Sequence, residues 1–233
     1  MANRKYEFTG QTKEWLGKTL NQIRALVSFG AVAEGEIGGW IEAEANLAAD
    51  GNAWVSGDAW VSGDAWVSGD ARVSGNAQIY GNARVSGDAQ VSGNAHVSGN
   101  AWVYGDARVY GDAWVSGDAR VSGDAHVYGN AQIYGNAWVS GDAQVYGNAQ
   151  IYGNADFLLV GPLGSRRAHL TIHADAQIGV RFSTGCFTGT EFEFKSAVQK
   201  THGDSEYGKQ YRSAIELAAL CVKPHAEEQK VAA

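Results

Sequence analysis

Several side chains in this 233-residue chain are of the types that chemistry needs. Cys186, His202 and Asp204 supply a thiol, an imidazole and a carboxylate, the makings of a nucleophilic triad in which histidine deprotonates the sulfur and aspartate orients the ring. Their spacing supports it only faintly. Cys186 lies between Gly185 and Phe187 at an expected strand end, where a small packed residue is the usual reason for a cysteine, and His202-Gly-Asp204 reads equally as a helix-capping turn. His96 and His126 are general-base candidates, yet that role requires an orienting partner and an acceptor pocket, and both stand at ordinary outward positions of a repeat. Arg166 and Arg167, following Gly164-Ser165, offer guanidinium groups to an anion or a carboxylate, or simply to solvent. No catalytic residue and no metal site is assigned.

Composition narrows the classes further. The formal charge of −7 disfavours nucleic acid as a general partner, because such affinity comes largely from Lys and Arg on phosphates. Two cysteines outside any CxxC pair make neither a disulfide framework nor a metal-ligand spacing. The longest apolar run, near Leu217 to Val222, is far short of the roughly 18 residues of a membrane span, and the N-terminus lacks a signal-peptide core. A cytoplasmic protein is therefore expected. Aromatic content of 11% with only two prolines argues for a folded chain.

The elements that must position these residues are dictated by a repeat. From Gly51 to Gly153 a glycine recurs at every sixth position, giving eighteen units of Gly-(Asn/Asp)-Ala-x-(Val/Ile)-(Ser/Tyr), the last degenerate. In each unit Ala-x-(Val/Ile), such as Ala53-Trp54-Val55, turns two apolar residues to one side and x to the other, as a short strand does. Ser/Tyr-Gly-Asn/Asp supplies the bend. A helix is excluded, since each interior glycine costs up to about 1 kcal/mol relative to alanine. A strand this short cannot pair with its neighbour across a bend, but it can pair with a strand one coil later, which makes a solenoid.

Stacking at 18-residue intervals assigns the outward residues to three faces. One carries Trp54, Arg72, Gln90, Arg108, His126 and Gln144, and the next carries Trp60, Gln78, His96, Trp114, Gln132 and Gln150. The third reads Trp66, Arg84, Trp102, Arg120, Trp138 and Asp156, an alternation that lays each guanidinium against an indole at about 0.5 to 1 kcal/mol per exposed contact. Six exposed indoles are expected, either as an interface or as broad covers for flat strands. Tyr110, Tyr128 and Tyr146 form one column beside them. Asp70, Asp88, Asp106, Asp124 and Asp142 form another, read as solvated turn residues or as a charge ladder mimicking DNA or collecting cations.

The flanks read as caps, because an open solenoid leaves unpaired strand edges at both ends. Lys5 to Thr9 and Leu20 to Phe29 suggest a β-rich cap, with a helix over 12–20 as the competitor. Gly39-Trp40-Ile41 and Ala45-Asn46-Leu47 hold the repeat register before two inserted residues, so the coil is expected to start ahead of Gly51. Past the repeat, Gly161 to Ser165 reads as a linker or turn, and Ala168–Ala174 with Ile178–Phe182 as a hairpin. Thr190 and Glu193 make a capping box before a short helix through Gln199. Asp204 or Ser205 caps a second helix whose apolar face comprises Tyr207, Tyr211, Ala214, Ile215, Ala218 and Val222. A polar tail over 224–233 completes a ββαα module.

The hexads, together with Ile23-Arg-Ala-Leu26, Gly38-Gly-Trp-Ile-Glu42, Gly185-Cys-Phe-Thr-Gly189 and Thr201-His-Gly-Asp204, resemble a family of bacterial and prophage hexapeptide-repeat proteins over nearly the whole chain. The resemblance implies a mainly β fold, a left-handed parallel β-helix of about six regular coils, with the handedness coming from the resemblance alone. It divides the chain into a cap at 1–36, the β-helix at 37–156 and an α+β module at 157–233. Members are often labelled acyltransferases, but no catalytic residues carry over. Acyltransferases of this kind usually work as trimers, with a histidine base near a subunit interface, acyl-coenzyme A along the prism, and loops that interrupt the repeat. Here the hexads run without insertion. The expected function is a non-catalytic scaffold without cofactor, a dimer or trimer or the partner of a host protein, away from membranes. A coenzyme A-dependent acyltransferase and an acidic nucleic-acid mimic are the alternatives.

Overall fold

The computed structural model describes residues 4–153 and 156–222; the polar tail expected at 224–233 and positions 154–155 of the degenerate last repeat unit lie outside these. After a hairpin, β1 (Tyr6–Trp15) and β2 (Lys18–Ala25), comes β3 (Ile37–Ile41). The strands β4 to β20 follow, two residues each, from Trp54–Val55 to Gln150–Ile151 at six-residue intervals. They stack in parallel into three sheets, each strand pairing with the one 18 residues later. The protein is mainly β, a solenoid of about six turns, with a C-terminal sheet and two helices.

Each rung is held by backbone bonds from alternate residues. Asn76, Gln78 and Tyr80 donate their N–H groups to the carbonyls of Gly93, Ala95 and Val97 at 2.8, 2.9 and 3.0 Å. The residues between them turn inward, and the Ala and Val/Ile of the hexads form one core with essentially no solvent exposure. The glycine is required twice over at a position such as Gly93. Its φ is +70°, and a Cβ there would lie 2.9 Å from the N and 3.0 Å from the O of Gly111 in the next coil.

At the N-terminal end the hairpin extends one sheet, in the order β1-β2-β3-β5, so the segment over 12–20 is strand and turn rather than helix. The coil does begin before Gly51. Trp40 pairs with Trp60, and Leu47 bridges to Val67. Both separations are 20 residues, the two inserted residues enlarging the first coil. The open end is stoppered by polar groups that reach its free carbonyls. Lys5 Nζ donates to the carbonyls of Asp50, Gly51 and Ala53, and the Tyr6 hydroxyl to those of Glu44 and Leu47. Burial pulls the Lys5 ammonium down to about 8, against the opposing pull of Asp50 and Asp70.

The C-terminal end carries more strand than ββαα. A four-stranded antiparallel sheet comprises β21 (Phe157–Leu163), β22 (Ala168–Asp175), β23 (Gly179–Thr184) and β24 (Phe187–Thr190). The supposed linker at Gly161 is therefore strand, with an irregular register between Val160 and Leu163. Helix α1 (Glu191–His202) starts at Thr190 with the expected capping box, and α2 (Glu206–Cys221) is capped by Ser205. Leu170, Ile172 and Phe182 pack under Phe194, Val198, Tyr211 and Ile215 of the helices. Tyr207, assigned to that apolar face, is instead exposed. The opposite face of β22 covers the mouth of the solenoid, where Thr171 Oγ1 accepts the N–H of Gln144 and Ala176 N donates to Asn148 O.

Gly93→Ala should lose about 2 to 4 kcal/mol from left-handed backbone strain plus inter-coil crowding. Gly10→Ala, at φ +86° with nothing near its would-be Cβ, should lose about 1 to 2 kcal/mol. Urea unfolding followed by tryptophan fluorescence would compare them, and equal losses would show that the inter-coil contact is not limiting.

Candidate functional site

The face built from β6 (Trp66–Val67), β9 (Arg84–Val85), β12 (Trp102–Val103), β15 (Arg120–Val121) and β18 (Trp138–Val139) carries the Trp/Arg ladder. Register places Trp66 beside Arg84, Arg84 beside Trp102, Trp102 beside Arg120 and Arg120 beside Trp138. Trp102 is clamped from both sides, with the Arg84 guanidinium 5.2 Å and the Arg120 guanidinium 5.6 Å from its ring. Trp66, Trp102 and Trp138 remain 43%, 41% and 49% exposed. Asp156, expected at the foot of this ladder, leaves it, its Oδ2 accepting the N–H groups of Tyr152 and Gly153.

Two of the six indoles expected at the surface are covered. Trp54 and Trp60 are only 4% and 5% exposed, because the N-terminal segment folds over the first coil. Phe29 meets Trp54 edge-on at 5.5 Å, and Gly38 approaches so closely that a Cβ would strike the indole. Trp60 lies between Trp15 at 5.9 Å and Tyr80 at 5.7 Å. Register alone sets both rings outward. Phe29, Gly38 and Trp15, which help to cover them, come from a segment with no repeat.

The remaining candidates on the prism pack ring against ring. His96 lies against Trp114, centroids 4.6 Å apart, and meets Tyr80 edge-on. Its Nδ1 is covered without a hydrogen-bond partner, burial lowers its pKa against the opposing pull of Asp112, and among the described residues no carboxylate is hydrogen-bonded to the ring. His126 meets Tyr110 edge-on at 6.4 Å. Tyr110, Tyr128 and Tyr146 stack at 5.0 and 4.8 Å, and burial together with its two tyrosine neighbours pushes Tyr128 up to about 12. In the turn columns, Asn76 donates to Asn94 and Asn94 to Asp112 at 3.0 and 2.9 Å, and Asn82, Asn100 and Asp118 repeat the pattern. The all-aspartate column is bounded by Asn52, which donates to Asp70, and by His169, whose Nδ1 is 2.9 Å from Asp142. No cluster with metal-ligand geometry occurs among the described residues.

In the C-terminal module a cleft of about 300 Å³ brings Cys186, His202 and Arg166 to one lining. The triad itself is not assembled. Asp204 faces solvent 3.5 Å from Arg212 and is not part of the cleft, while His202 stacks on Tyr211 at 5.5 Å. Cys186 is exposed, in the turn between β23 and β24. Arg167 is likewise outside the cleft, in a turn at φ +50°.

Sequence reasoning missed the seam between cap and solenoid. His173 is fully buried there. Its Nδ1 donates to the carbonyl of Ala174, its Nε2 is unpartnered, and its ring meets Tyr146 edge-on. Burial lowers its pKa to about 4, despite the Ala174 carbonyl and Asp175 pulling the other way. Asp175 is buried beside it, accepting from Gln177 N, Ile178 N and Arg181 Nε, the last at 2.7 Å. Burial pushes the Asp175 carboxyl up, but these bonds outweigh it and hold the group below its usual range. Arg181 in turn lies over Tyr146. The available signal was Thr171, His173 and Asp175 on one side of a strand whose other side is apolar.

With this geometry in hand, the chain can be compared with known proteins. The sequence model of the YdcK beta solenoid repeat matches residues 77–90, 89–105, 101–117, 113–129 and 131–147. The chain is thus similar to that repeat family through the middle of its solenoid, as befits a β-solenoid repeat protein. No curated protein matches the chain. No helix among the described residues is long and apolar enough to cross a membrane.

The buried His173 makes the cap acid-sensitive. Its folded pKa lies below the ordinary 6.5, so its contribution is complete above about pH 6.5 and is lost as pH falls toward 4. Thermal melts should show stability falling across that window. His173→Phe should flatten the fall while staying within about 1 kcal/mol of the parent at neutral pH. An unchanged slope would assign the acid sensitivity elsewhere.

Proposed function

We propose that this protein is a non-catalytic interaction scaffold whose Trp/Arg face mediates self-association, as a dimer or trimer, or docking to another protein. The observation that carries the reading is the row Trp66, Trp102 and Trp138, each between two-fifths and one-half exposed on a rigid flat wall and interleaved with Arg84 and Arg120. Trp and Arg are the residues that dominate interface energetics, and Arg pre-stacked on an indole loses little freedom when a partner covers it. A solvent-facing ladder of this kind gains most from being covered by a complementary flat surface.

The proposal needs no cofactor, and coenzyme A belongs only to the acyltransferase alternative. Against that alternative stands His96, whose ring is stacked on Trp114, meets Tyr80 edge-on, and has no carboxylate hydrogen-bonded to it among the described residues. The charge of −7 weighs against nucleic acid as the partner. The proposed setting is the cytoplasm, and a prophage origin, carried by the resemblance alone, would make a host protein the natural target.

Light scattering of the full chain tests the reading. An oligomer that dissociates in the Trp102→Ser/Trp138→Ser double variant, with circular dichroism unchanged, is expected. A strict monomer indifferent to the double substitution, with no protein partner, would overturn it. Stabilisation by acetyl-coenzyme A with turnover lost in His96→Ala would instead establish the acyltransferase.

A further inference from the structure

A second surface lies on the wall that continues the N-terminal hairpin, away from the Trp/Arg ladder. The hairpin tip overhangs this wall and closes a groove of about 450 Å³, within the range of small-molecule sites. Aromatic rings follow one another along it: Trp15 to Trp60 at 5.9 Å, Trp60 to Tyr80 at 5.7 Å, Tyr80 to His96 at 6.5 Å and His96 to Trp114 at 4.6 Å. The two ends of the row, Trp15 and Trp114, are the exposed plates. From Trp60 to Trp114 is three coils, about 14 Å at the usual strand spacing of roughly 4.8 Å.

The tip itself is an anomaly. Trp15 pairs with Lys18 across a two-residue turn in which Leu16 has φ +48° and Gly17 φ +75°. Such a turn is the preserve of Asn-Gly, and leucine there is strained as well as 86% exposed. Strain at a position that local stability would fill with asparagine points to a task for the side chain, and Leu16 lines the groove.

We propose that this groove binds a short neutral oligosaccharide, its sugar rings stacking on Trp15 and Trp114 under Leu16 and its hydroxyls bonding to Gln78 and Asp64. Sugar rings present apolar C–H faces to indoles and hydroxyl edges to amides and carboxylates, and the groove offers both kinds of surface. Among the described residues the side chains of Gln78 and Asp64, which line the groove, have no hydrogen-bond partner, so they can bind hydroxyls, whereas an apolar ligand would strand them. A phosphate chain is disfavoured, because Asp64 is anionic and Lys18, the groove's cation, is already bonded to Glu42 at 2.7 Å. This inference is independent of the scaffold reading, since it uses none of the ladder residues.

Titration of the full chain with maltotriose, cellotriose, chitotriose and xylotriose, read by calorimetry and tryptophan fluorescence, provides the test, with oligothymidylate and a proline-rich peptide as comparators. One of these sugars is expected to bind. Trp114→Ala and Gln78→Ala should each weaken it at least about tenfold, and Trp102→Ala should leave it unchanged. Leu16→Asn should raise the melting temperature while weakening binding, a pairing that a purely structural leucine would not produce. Absence of binding by every sugar at millimolar concentration, full affinity in Trp114→Ala or Leu16→Asn, or binding of the oligonucleotide or peptide alone would overturn the proposal.

Discussion

Every feature of this protein depends on the glycine bend that closes each coil in register with the next. Once the coil is fixed, backbone bonds such as Gln78 N to Ala95 O repeat along the prism, and each side chain finds itself above and below the residue 18 positions away. Like-on-like stacking at a spacing of about 4.8 Å is then a constraint on chemistry, not only on shape. Two carboxylates, or two guanidinium groups, placed so close with no counterpart repel each other.

The sequence meets this constraint differently on each edge and face. Where turn residues can hydrogen-bond, Asn donates along the column to Asn and then to Asp, so the acid terminates a short chain of amides rather than facing another acid. Where long side chains stack, arginines are separated by indoles. Where tyrosines stack, the central Tyr128 phenol is pushed up to about 12, because a charge on it would be both desolvated and beside its neighbours. The Asp88, Asp106 and Asp124 stretch is the exception, with carboxylates facing solvent from an exposed edge.

Periodicity made the middle of the molecule legible and the ends much less so. A residue such as Val103 or Trp102 has its inward or outward direction set by position in the hexad, and the structure agrees. Trp54 and Trp60 obey the same register, yet are buried by Phe29, Trp15 and Tyr80, two of which come from a segment with no repeat. At the other end, β22 looks half-polar in sequence because its polar side covers the solenoid mouth. Thr171, His173 and Asp175 satisfy free rung groups and their own sheet, a role that alternation alone reads as solvent exposure. The turn-like residues Gly161 and Pro162 hid a strand because they sit where its register with β22 shifts, between Val160 and Leu163.

The same logic separates surfaces from reaction sites. A general base needs a partner that fixes its tautomer, and a nucleophile needs its base within reach. Stacked rungs place His96 among aromatic rings and His126 against Tyr110, which favours contact over proton transfer. Where a cleft gathers Cys186 and His202, Asp204 lies outside it beside Arg212, and the imidazole is held by stacking on Tyr211. What the solenoid does provide is long, flat, aromatic-rich walls held rigid by their rungs, so that a ligand or partner docking there would meet rings already in place. Rigidity of this kind lowers the entropic cost of association, and it does so separately on each wall.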